Sequence, residues 1–295
     1  MILRTAILVM LMLASATTVA IEIHQEKSLY RNIVVREADN RRCLLFTVKR
    51  GDRNQTCMDL QDSKRLVFHY VRMAFGGLLL KPDPGRILIV GLGGGSIPTA
   101  LAELYPDATI DVVEIDEAVV RVARQYFNFT ESKNLKVKVS DARVFIKRAL
   151  LQRQTYDLIM LDAFTGDYIP EHLMTQEFLQ ESRDLLNMDG ILVANTFSTS
   201  ALYDHESETY QAVFGDYLNF KLPASGNRVI IAARQGLPSD FEIKSQAIKF
   251  AERLRPYGIE ARDYPDHMSR EKDWNRTRRI LTDQYSPANL LRGED

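Results

Sequence analysis

Residues 86–98 read Arg86-Ile87-Leu88-Ile89-Val90-Gly91-Leu92-Gly93-Gly94-Gly95-Ser96-Ile97-Pro98, and the order of residue types here decides the fold. The unbroken apolar run 87–90, three of its residues β-branched, suits a strand buried on both faces. Glycines then let the chain turn sharply and approach a ligand closely. Pro98 fits only in the first turn of a helix, where a missing N–H costs little. Strand, glycine turn and helix in this order open a nucleotide-binding βαβ unit. No Gly-Lys-Ser/Thr follows the glycines, which argues against a kinase-type phosphate loop. The turn suits a nucleoside without phosphates, and the glycines alone leave a dinucleotide open.

The same alternation continues toward the carboxyl end. Strands are expected at 110–113, 135–139, 158–161 and 191–194, separated by helices near 117–125, 143–151 and 176–186. A helix near 203–214, a strand near 219–220 and a last strand at 229–233 follow. Repeated strand–helix alternation with apolar strands predicts an α/β fold, a doubly wound, mostly parallel sheet covered on both faces. Before it, short β-favouring pieces at 32–35, 43–48 and 56–60 predict a small antiparallel unit, and 64–80 a linking helix. The expected organisation is a leader at 1–20, the β unit and linking helix at 21–80, the nucleotide domain at 81–236, and a helix with an irregular extension at 237–295.

Composition narrows the function classes. The 295 residues carry 38 Lys and Arg against 39 Asp and Glu, a formal net charge of −1, so composition gives no basic surplus for nucleic acid. Hydrophobic residues at 45% exclude wholesale disorder. Two cysteines and five histidines form no metal-ligand pattern, and no metal is expected. Arg4, the apolar run 6–14 and small residues near Ala16 and Ala20 have the grammar of a secretory signal peptide, predicting export or a periplasmic location. An uncleaved anchor or a cytoplasmic protein with a misplaced start is the alternative. Cys43 and Cys57 flank a polar, hairpin-like stretch that brings them nearly opposite each other, open to a disulfide or to two reduced thiols.

Candidate site residues follow from the strand tips, because open parallel sheets bind ligands outside the carboxyl ends of their strands. Gly91, Gly93, Gly94 and Gly95 form the turn. Glu114, roughly twenty residues on, ends the next strand, where its carboxylate can accept from both ribose hydroxyls; Ile115 follows it. Asp116 is read as a helix cap. Asp141, with Ala142, sits at the third tip and can accept from an adenine amine or cap the following helix. Asp162 closes the fourth strand and is the candidate reacting centre, whereas Asp157 at the opposite end is structural or solvent-facing. Phe164 and Tyr168 either wall a pocket or pack the loop. Trp274 with Arg276, Arg278 and Arg279 is read as a solvated terminal helix, with a patch folded back over an anionic group as the alternative.

Together VGLGGGS (90–96), VEID (113–116), SDA (140–142) and Asp162, behind a small β unit, resemble the spermidine synthase family over roughly residues 27–235. The resemblance implies a class I methyltransferase-like fold and an S-adenosyl-type donor, S-adenosylmethionine or its decarboxylated form. It implies Glu114 on the donor ribose, Asp141 near the adenine, and Asp162 orienting or deprotonating an attacking amine. His69 matches the family's histidine and is a second catalytic candidate. Departures lie on the acceptor side: Gly94 stands where the family usually has aspartate, Thr165 replaces the second acid of D-x-x-D, and Arg31 aligns with a glutamine. The expected activity is therefore aminopropyl or other alkyl transfer to an amine. The alternatives are a methyltransferase or a noncatalytic nucleoside-binding module. The partners expected are a small-molecule donor and an amine acceptor, with no nucleic acid and with a homodimer open.

Overall fold

Two sheets organise the chain, and the computed structural model describes residues 20–48, 51–164, 168–223 and 225–287. β1 (Ile21–Lys27), β2 (Asn32–Ala38), β3 (Arg41–Val48) and β4 (Gly51–Asp59) form an antiparallel meander in chain order. β2 to β4 answer to the three expected pieces, and β1 is an added edge strand. Of the leader expected at 1–20, residues 1–19 lie outside the described residues. Cys43 pairs with Cys57 across β3 and β4, and a disulfide joins them with their Cα atoms 4.1 Å apart. The meander buries Ile33, Val35, Leu44 and Phe46 against Val119 and Val122 of α3 (Glu117–Tyr126).

The linking segment differs from the continuous helix expected over 64–80. Only α1 (His69–Ala74) is α-helical, and a 3₁₀ turn, Phe75–Leu79, completes it. The reason is close packing on the sheet: a Cβ at Gly77 would lie 2.4 Å from Val193 Cγ2, so glycine brings this backbone down onto the strands.

The large sheet runs β12-β10-β11-β9-β8-β5-β6-β7. Its strands are β5 (Arg86–Val90), β6 (Thr109–Glu114), β7 (Leu135–Val139), β8 (Tyr156–Leu161), β9 (Leu186–Phe197), β10 (Tyr217–Lys221), β11 (Asn227–Ala233) and β12 (Met268–Ser269). β5 to β9 are parallel, and β10 to β12 close the edge antiparallel. Side chains alternate across the sheet as the period of two requires. Ile87 and Ile89 face α2 (Ser96–Leu104), α3, α1 and α7 (Asp240–Leu254), whereas Leu88 and Val90 face α4 (Ala142–Leu151), α5 (Gln176–Asp184) and α6 (Tyr203–Phe214). Strand order reverses between β5 and β8, and that switch point opens a crevice at their carboxyl ends.

Two differences from expectation bear on the site and the tail. β9 is far longer than 191–194, running three residues past Ala194 to Phe197. Trp274 is not on a solvated terminal helix. It is buried, stacks on Tyr217 at 5.4 Å between ring centroids, and donates from Nε1 to Glu208 at 2.8 Å. The tail packs back because the indole gains both apolar cover and a partner for its N–H.

Candidate active site

The glycine turn holds φ values that other residues rarely adopt: +101° at Gly91, +54° at Gly93 and +79° at Gly95. A Cβ at Gly91 would lie 2.3 Å from the Asp162 carbonyl oxygen. The tips of β5 and β8 therefore touch only because this position is glycine. A cavity of about 240 Å³ opens beside that contact, lined by Gly91, Gly93, Glu114, Ile115, Asp141, Ala142 and Asp162. Gly94 and Gly95 instead line a separate cavity on the far side of the turn, next to Cys57 and Phe127.

Glu114 is buried at the end of β6. Its Oε2 accepts from the Leu92 N–H and its Oε1 from the Asp116 N–H, both at 3.0 Å. Burial pushes its carboxyl up, against the pull of those two amides and of Arg31. Each oxygen still has a lone pair to offer the cavity, which is what a ribose diol requires. Asp141 caps α4 by accepting from the Val144 N–H at 2.9 Å, while its other oxygen lies 3.0 Å from His172 Nε2 at the cavity rim. Capping and ligand contact are thus compatible at this residue. Asp116 caps α3 through the Ala118 N–H at 3.0 Å, and Asp157 accepts from the Gly85 and Arg86 N–H groups at 2.8 Å on the opposite edge.

Asp162 follows β8 directly and accepts from Asn195 Nδ2 at 2.8 Å. Burial raises its carboxyl pKa to about 7, with the Asn195 bond pulling the other way. A carboxylate poised near neutrality can take a proton from an attacking nucleophile and release it again.

His69 is exposed on α1 and is not part of the cavity wall; Tyr70 takes that place. On α1 the apolar period runs through Tyr70, Val71 and Ala74, so Tyr70 faces inward and His69 outward. Partial burial and neighbouring Arg72 lower the His69 pKa. Tyr70 donates its hydroxyl to the Gln55 carbonyl at 2.9 Å, and burial, followed by the nearby Asp162 charge, pushes its phenol well above the ordinary range. Tyr70→Phe is expected to cost about 0.5–1.5 kcal/mol through the loss of this one hydrogen bond. That should appear as a small drop in the thermal unfolding midpoint with donor binding retained; an unchanged midpoint would show that the bond contributes nothing net.

Arg31 also faces the cavity. Its guanidinium lies 4.3 Å over the Phe46 ring, donates to the Phe164 carbonyl at 3.1 Å, and has Asp116 at 3.6 Å. Phe164 walls the cavity and meets Phe197 edge-on, while Tyr168 is exposed. Thr165 and Asp167 fall outside the described residues. Sequence reasoning passed over Tyr70, Phe46, Gln55 and Asn195. The first three come from elements whose packing over the crevice no local pattern announces. Asn195 lies in the part of β9 beyond the apolar run.

Known proteins resemble the chain in sequence and in fold. The family model of the spermine/spermidine synthase domain matches residues 68–222. A polyamine aminopropyltransferase of Vibrio vulnificus is 57% identical over 273 residues, covering 92% of this chain and 91% of that protein. Human methyltransferase-like protein 13, solved in complex with SAH, superposes with a TM-score of 0.59 at 26% identity, over 64% of this chain and 93% of that one. Spermidine synthase in complex with the transition state analogue AdoDATO gives 0.57 at 21% identity over 81% and 80% of the two chains, a likeness of fold. With a family model across more than half its length and a relative of this identity across nine-tenths of it, the chain belongs to the spermine/spermidine synthase family, as a transferase of the aminopropyltransferase kind.

Proposed function

We propose that the protein transfers the aminopropyl group of decarboxylated S-adenosylmethionine to a nitrogen of a polyamine-type amine. The observation that carries this reading is the convergence of Glu114, Asp141 and Asp162 on one cavity at the switch point. Glu114 would accept from the donor ribose and Asp141 would lie at the adenine end. The sulfonium carbon would then sit by Asp162. The amine lone pair attacks the methylene carbon bonded to sulfur. A C–N bond forms, the C–S bond breaks with its electron pair going to sulfur, and methylthioadenosine leaves as a neutral thioether. The nitrogen's surplus proton passes to Asp162 and on to water. Most of the acceleration comes from holding nitrogen and carbon in line; the carboxylate adds general-base assistance. The name of the Vibrio vulnificus relative supports the choice of group transferred.

Methyl transfer from S-adenosylmethionine is the competing reading, favoured by the 26% identity to a human methyltransferase-like protein held with SAH. Calorimetric titration with S-adenosylmethionine, its decarboxylated form and methylthioadenosine separates them. The proposal expects the decarboxylated donor to bind more tightly than S-adenosylmethionine. A preference for S-adenosylmethionine would transfer the assignment to methylation, and failure of a folded protein to bind any of the three would remove the donor assignment.

A further inference from the structure

Asp162 is one end of a hydrogen-bonded chain that crosses three strand tips. Leu161 pairs with Ala194 across β8 and β9, so the residues that follow, Asp162 and Asn195, lie side by side. Asn195 pairs with Val229 across β9 and β11, which puts Asn227, two residues earlier, on the same face and one diagonal away. Asn195 Nδ2 donates to Asp162 Oδ1 at 2.8 Å, and Asn227 Nδ2 donates to Asn195 Oδ1 at 3.0 Å.

A side-chain amide has a donor end and an acceptor end, and this order decides which of them meets the carboxylate. Turning the buried Asn195 amide over would set its oxygen against Asp162 Oδ1 and its NH₂ against that of Asn227. The backbone N–H of Asn227 donates to Ser225 Oγ at 3.1 Å, and the residue after it anchors the strand. Arg228 is fully buried, donating to Thr196 Oγ1 at 2.9 Å, Ser207 Oγ at 2.6 Å and Glu206 at 3.1 Å, which ties this end of β11 to β9 and α6.

We propose that Asn195 and Asn227 are positioning residues for the transfer reaction: Asn227 locks the Asn195 amide as a donor to Asp162 Oδ1, which leaves Asp162 Oδ2 to the attacking amine. The inference rests on the reading of Asp162 as the group that receives the amine proton. An N–H aimed at Oδ1 favours the ionised carboxylate and so works against the burial that holds the proton on. Without the lock, the amide oxygen would face the carboxyl group and favour its protonated form.

The test compares Asn195→Asp, Asn227→Leu and Asp162→Asn in the full chain. It reads the pH profile of kcat/KM for the amine at saturating decarboxylated S-adenosylmethionine, with donor affinity measured separately. The amine's own titration is common to all variants, so a displaced acid limb belongs to the enzyme. Asn195→Asp replaces the donor by a second carboxylate and should move the limb upward by at least about one pH unit, a loss of at least about tenfold on the acid side. Asn227→Leu should move it the same way by less, with a loss of roughly twofold to fivefold, while donor affinity stays within about twofold.

Unshifted limbs in both asparagine variants, alongside a collapse of turnover in Asp162→Asn, would overturn the inference and leave the role of Asp162 standing. Full turnover in Asp162→Asn would overturn that role and the inference with it. Should Asn195→Asp not fold, Asn227→Leu decides alone: a shifted limb supports the lock, and an unshifted one overturns it.

Discussion

Asp162→Asn is expected to lower kcat by roughly 100-fold to 10,000-fold while donor affinity changes far less, because the amide keeps the shape of the carboxyl group but cannot accept the proton. The wild-type pH profile carries the same expectation. Burial raises the Asp162 pKa to about 7, so below that pH the group holds its proton and cannot act as a base. Activity should rise with pH through this region and level off above it, apart from the acceptor's own titration. In Asp162→Asn this enzyme limb should be missing. Equal turnover of the two proteins at saturating donor would remove the catalytic assignment. A loss of donor binding with an intact chemical step would recast Asp162 as part of the donor pocket.

Glu114→Gln is expected to weaken donor binding by about 1–3 kcal/mol, roughly 5-fold to 150-fold, through the loss of charged hydrogen bonds to the ribose. The local geometry makes this substitution less innocent than its size suggests. Both carboxylate oxygens already accept from backbone N–H groups, of Leu92 and Asp116. A glutamine must turn its NH₂ toward one of those donors, so the glycine turn and the start of α3 should loosen as well. Calorimetry on protein shown to be folded by circular dichroism checks the prediction. Equal affinities in wild type and variant would exclude Glu114 from ribose binding.

The parallel core was legible because its central strands pair an apolar stretch with a polar or glycine-rich tip, as at 87–95, 110–114 and 158–162. In such a sheet the tip is also where ligands bind, so Glu114, Asp141 and Asp162 could be named from order alone, and the structure gathers them around one cavity. Gly94 and Gly95 show where this reasoning thins. Both belong to the turn, but the left-handed Gly95 backbone and the pressure of Phe127 and Phe129 send them to the other side of it. His69 shows it again. The helical pattern over 64–80 groups Tyr70 with the apolar Leu66, Val67, Val71 and Ala74, whereas His69 was named through its match to the family's histidine.

The wall of the cavity away from the strand tips was the least legible part. Tyr30, Arg31, Phe46 and Gln55 reach the cavity from the amino-terminal meander, through contacts that span more than a hundred residues of chain, as between Arg31 and Phe164. No local period encodes such a contact. Asn195 was hidden for a related reason. It lies just past the apolar run of β9, and its significance comes from Asp162 beside it on β8 and Asn227 on β11, positions that are neighbours only in the folded sheet.

The most direct test of the central claim is product analysis. Purified protein incubated with decarboxylated S-adenosylmethionine and a panel of diamines and polyamines should form methylthioadenosine and an aminopropylated amine in equal amounts with at least one of them, detected together by mass spectrometry. Formation of a methylated acceptor from S-adenosylmethionine, with no methylthioadenosine from the decarboxylated donor in a protein that binds it, would contradict the claim.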